Sequence, residues 1–78
     1  MMSGIEEAIG SAIRGSIAGA EVAVKGGGGH FEIEVVSERF AGLSTLERHR
    51  LVLGAIKHLM EGDAPAVHAV DALRTRTP

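Results

Sequence analysis

The side chains best suited to bind a transition metal in this 78-residue chain are its four histidines, with no cysteine to add a thiolate. Two of them share a setting. His30 follows the run GGGG and opens HFEIEVV, and His68 follows EGDAPAV near the start of another β-rich stretch. If those stretches are neighbours in a sheet, the two imidazoles could converge. Two nitrogens fall short of the four ligands of a closed structural zinc site. They suit half of a shared site that a partner completes. The plainer alternative is two unrelated surface histidines, and on pattern alone that is the commoner outcome. His49, between Arg48 and Arg50, falls on an apolar helical stripe and reads as a half-buried structural residue. His58 falls on a polar face and reads as solvated.

Other chemistry finds less support. Gly26 to Gly29 contains the glycine spacing of the loop that clamps nucleic-acid backbones in KH domains, but that loop joins two helices and this one lies between two strands. A Walker loop would need Lys and Ser or Thr after the last glycine. Arg48, Arg50, Lys57, Arg74 and Arg76 could gather into a basic patch for nucleic acid, or simply be a solvated surface. The net charge of −2 and pI of about 6.0 disfavour a protein that lives by phosphate contacts. There is no cysteine nucleophile, and no serine beside an acid has an evident base. Glu32 and Glu34 share a strand face that reads as exposed. An enzyme is not expected.

The elements that must position these residues follow from periodicity and capping. Ser3 and Glu6 have capping-box spacing, and Ile5, Ile9, Ala12 and Ile13 recur at helical intervals. This predicts a helix over 4–15, ended by Gly15 and Gly19. Ala20 to Lys25 alternates as a short strand. Gly26 to Gly29 then reads as a flexible loop carrying His30, too permissive to fix one turn and poorly ordered without a partner. His30 to Val36 is the second strand, with Phe31, Ile33 and Val35 on one face. The connector Ser37–Leu43 is expected to plug Phe40 and Leu43 onto the core.

Ser44 and Glu47 repeat the capping box, and a long helix is predicted to about Met60. Leu46, Val52, Leu53, Ile56 and Met60 gather on its apolar side around His49, with Glu47, Arg50, Lys57 and His58 facing away. EGDAP stops it, with room for a short helical turn near 61–66. A third strand over Val67–Thr75 carries His68. The reading is an α+β single domain over residues 1–78. Helices cover one side of a small, mixed, three-stranded sheet.

Composition agrees. The chain is long enough for one domain with a thin core, and its 45% hydrophobic content is aliphatic, with only Phe31 and Phe40 aromatic. No apolar run reaches the ~20 residues of a membrane span. The first residues, MMSGIEEAIG, carry acids where a secretory signal carries positive charge. A mature, soluble, cytoplasmic chain is expected.

The longest stretch, HFEIEVVSERFAGLSTLERHRLV from His30 to Val52, closely resembles the BolA family. The family's histidine-aromatic strand start, VVS strand end, F-x-G-x-S connector and RHR-LV helix are all present in order. VHAV (Val67 to Val70) and RTP (Arg76 to Pro78) are similar to its final strand and its ending. The resemblance spans about Ile5 to Pro78. It implies an α-β-β-α-(α)-β domain of class II KH-like type.

It also implies a function. BolA-like proteins pair with monothiol glutaredoxins and can share a [2Fe–2S] cluster with them. The glutaredoxin and glutathione supply thiolates, and the BolA side supplies histidines. Here those would be His68 and His30, with Gly28, Gly29 and Arg76 at the partner surface. The free chain would be a monomer or weak homodimer. Two imidazoles on one iron resemble Rieske ligation. Some relatives are described as DNA-binding regulators of stress response and cell shape, for which Arg48, Arg50, Lys57 and Arg74 are the candidates. The sequence departs from the family at one place: its closing proline usually stands one residue nearer to the strand histidine than Pro78 does to His68. An extra residue within Ala69 to Arg74 implies a bulge or a shifted alignment, and leaves the place of Asp71 open.

Overall fold

The structure is a computed structural model and describes residues 4–78. The elements are α1 (Gly4–Ser16), β1 (Glu21–Gly27), β2 (His30–Val36), a 3₁₀ turn (Glu38–Phe40), α2 (Thr45–Ala55), α3 (Lys57–Met60) and β3 (Ala69–Arg76). The sheet order is β1-β2-β3, with β1 antiparallel and β3 parallel to the central β2. The expected α+β class, mixed sheet and element order are all observed. Among the described residues no helix is long and apolar enough to cross a membrane.

Alternation along the strands decides which face is covered. Phe31, Ile33 and Val35 of β2 are buried. Their ladder partners on the same face are Gly26, Val24 and Val22 on one side and Val70, Leu73 and Thr75 on the other. Ile9, Ile13 and Ile17 from α1 and its exit, and Val52 and Ile56 from the second helical segment, complete the core with Phe40 and Val67. Each such side chain contributes roughly 1.5–3 kcal/mol on burial. The opposite face is open and carries Lys25, Glu32, Glu34, Arg74 and Arg76, with ion pairs Lys25–Glu32 at 3.9 Å and Arg76–Glu34 at 3.6 Å. Glu32 and Glu34 are thus on the exposed sheet face, as read.

α1 ends one residue past the expected boundary. Ser3, half of the first predicted cap, lies outside the described residues. The second capping box is formed. The Ser44 hydroxyl accepts from Glu47 N–H at 3.1 Å, and the Glu47 carboxylate accepts from Ser44 N–H at 3.4 Å.

Three expectations for the second helix need correction. It breaks at Ile56, where the N–H donates to Leu53 O in a 3₁₀ contact, and resumes as α3. Gly54, a poor helix former, stands just before the break, and Ile56 is fully buried there. The short second helix is therefore 57–60, and 61–66 holds none. The buried face is also rotated. Leu46 and Leu53 are 59% and 38% exposed, while Arg48, His49 and Ala55 are half-buried. Arg48 accounts for part of this: its Nε donates to Leu43 O at 3.0 Å, and its guanidinium lies 5.9 Å from the Phe40 ring centroid. A charged head satisfied in this way lets its aliphatic stem join the core edge.

Candidate metal and partner site

His30 and His68 meet the same glycine. The four-glycine segment is not the open loop expected. Gly26 and Gly27 belong to β1, and Gly27 pairs with His30, so Gly28 and Gly29 alone make the turn. Their φ values, 62° and 85°, are both left-handed, as the type I′ two-residue hairpin turn requires. The turn is then pinned from β3's side. Gly29 O accepts from His68 N–H at 2.7 Å and Ala69 N–H at 3.0 Å. A β-carbon at Gly29 would overlap Cδ2 of the His68 ring. The sequence reading missed this because a glycine run carries no side-chain pattern to say which residues join the ladder.

His68 lies outside the strand it was expected to occupy. β3 begins at Ala69, opposite His30, and ends at Arg76. Val67, the predicted first strand residue, is instead a fully buried anchor whose N–H donates to Leu59 O at 3.0 Å. His68 is held between that anchor and the Gly29 carbonyl, with its side chain exposed.

His30 is the first residue of β2 and makes a side-chain contact that its sequence position did not reveal. Its Nδ1 is 3.1 Å from Oδ1 of Asp71, with the two side chains 58% and 56% exposed. Asp71 is the extra residue. Phe31 pairs with Val70 and Glu32 with Ala72, so Asp71 has no ladder partner. The expected bulge falls there, in a parallel pair, where bulges are rare. The signal available in the sequence was the surplus residue before Pro78, which located the bulge only to a six-residue window.

The remaining candidates do not join this cluster. Arg76 pairs with Val36 at the other end of the ladder, six steps or roughly 20 Å from His30. Arg74 lies on the open sheet face. Arg50 and Lys57 are exposed on the helical layer opposite it, and Arg48 is engaged with Leu43 and Phe40. The five basic residues named for a nucleic-acid surface thus divide between the two sides of the sheet. His49 is half-buried and His58 exposed, both as read.

The donor set fits half of a metal site. Two imidazoles reach solvent beside one turn, and imidazole is a common iron ligand. Among the described residues no group of three His, Cys, Asp or Glu side chains could hold a metal ion.

This fold and this histidine-bearing sheet end define a small α+β domain of known type. A model of the BolA-like protein family matches residues 12–78, and the chain belongs to that family. BolA-like protein 1 of Bos taurus is 51% identical over 49 residues, 63% of this chain and 33% of its own length. The aligned part is therefore about a third of that relative. The solution structure of BolA1 from Mus musculus superposes with a TM-score of 0.76 at 33% identity, covering 99% of this chain and 68% of that one. A bolA protein homologue from Coxiella burnetii gives 0.72 at 33% identity, covering 100% and 94%.

Proposed function

We propose that this chain is a non-enzymatic adaptor that binds a monothiol glutaredoxin and shares a [2Fe–2S] cluster with it, in cluster trafficking or iron sensing. The observation that carries the reading is the pair of exposed histidines on either side of Gly29. The backbone of each is held, His30 by its ladder pairing and His68 by the Gly29 carbonyl, and the chain has no thiol to complete a site. Membership of the BolA-like family supports it. His68 and His30 would supply imidazole nitrogen. The glutaredoxin cysteine and glutathione would supply thiolate, which the shared cluster needs for its other iron. Gly28 presents an open surface without a side chain, so a partner backbone can approach closely there, while the His68 ring lies over Gly29. A cytoplasmic setting, where thiols stay reduced, belongs to the same proposal. The division of Arg48, Arg50, Lys57 and Arg74 between two sides gives DNA binding no comparable support.

Titration of the ¹⁵N-labelled chain with a monothiol glutaredoxin, glutathione and cluster tests the proposal. Amide shifts should concentrate at Gly28, Gly29, His30 and His68. The absence of any shift at stoichiometric glutaredoxin would end the reading.

A further inference from the structure

We propose that Asp71, the residue set aside by the bulge, is a positioning residue that fixes which nitrogen of His30 is free to bind metal. The inference rests on the proposed role of His30 as a ligand and names what prepares it.

In an unbroken ladder residue 71 would stand opposite Glu32, placing two carboxylates side by side, which is unfavourable. The bulge hands that position to Ala72. Asp71 Oδ1 then reaches His30 Nδ1 at 3.1 Å. An ionised carboxylate only accepts hydrogen bonds, so Nδ1 must carry the hydrogen. A neutral imidazole has one N–H, and with it on Nδ1 the lone pair is on Nε2. An imidazole side chain without a partner prefers the other tautomer, so this assignment is imposed by the contact. The same arrangement, a carboxylate on one ring nitrogen and a metal on the other, orients metal-binding histidines generally. Asp71 fixes both the ring direction and the ligating atom before a partner arrives. Neighbouring Glu32 and Lys25 are engaged with each other, so the acceptor for Nδ1 is Asp71.

Long-range ¹H–¹⁵N spectra of the free chain read the tautomer directly. In the unmodified chain, His30 should show a protonated Nδ1 and an unprotonated Nε2. Asp71→Ala should reverse the majority tautomer, and Asp71→Asn, which keeps an acceptor of lower charge, should fall between. A His30 that is mainly Nε2–H in the unmodified chain, or unchanged in Asp71→Ala, overturns the inference.

A second arm uses the cluster-loaded complex with a monothiol glutaredoxin. Asp71→Ala should weaken cluster retention roughly tenfold, and it should have no further effect in a His30→Ala background. Equal losses in both backgrounds would show that Asp71 acts without His30 and would overturn the positioning role. Failure of the unmodified chain to take up a cluster would overturn the functional reading, and the tautomer spectra would still decide what Asp71 does to His30.

Discussion

The two ends of the central ladder are built by opposite means. At the far end, β2 and β3 run in regular register to Val36 and Arg76. Ser37 N–H then extends the pairing to Arg76 O at 3.0 Å, and the buried Ser37 hydroxyl caps the 3₁₀ turn that sinks Phe40 into the core. At the near end, a left-handed turn, a residue outside the ladder and a bulge interrupt the pattern within a few residues. The irregular end keeps His30, His68 and Asp71 in solvent. The contrast separates residues that hold the fold from residues that the fold presents.

Substitutions should therefore divide by end. The largest stability loss is expected for Phe40→Ala, which empties a fully buried aromatic site. About 3–5 kcal/mol should be lost in urea denaturation. Gly29→Ala should cost less, about 1–2 kcal/mol for a left-handed φ. It should also move the His68 ring resonances, because the new methyl occupies the ring's place. Deleting Asp71 should change stability by less than about 1 kcal/mol, since the ladder can close with its existing partners and surface changes are mild. Asp71→Ala should be milder still in urea, given that exposed pairs contribute about 0–1 kcal/mol, while still changing His30. A large stability loss from either Asp71 change would erase the distinction between the ends.

Much of this was legible in the sequence because it rests on local chemistry. The alternation of Phe31, Ile33 and Val35, and the Ser44–Glu47 box, each need only neighbouring residues to declare themselves. The phase of α2 did not, because Arg48 joins the core edge only through Leu43 and Phe40. The length of the glycine turn was hidden since Gly26 and Gly27 look the same in a ladder as in a loop. A surplus residue was visible within Ala69 to Arg74, but not that it is Asp71, nor that it partners His30, forty-one positions away. Its place is set where two strands meet.

If the near end is half of a shared site, it should show when a [2Fe–2S] cluster is reconstituted with a monothiol glutaredoxin, glutathione and either the unmodified chain or His68→Ala. The visible absorption and circular dichroism of the shared cluster, and its retention over time, are compared. A distinct spectrum is expected with the unmodified chain. His68→Ala, whose fold should be intact because the ring is exposed, should lose that spectrum and retain the cluster at least about tenfold less well. An identical spectrum and identical retention in His68→Ala would contradict a shared site.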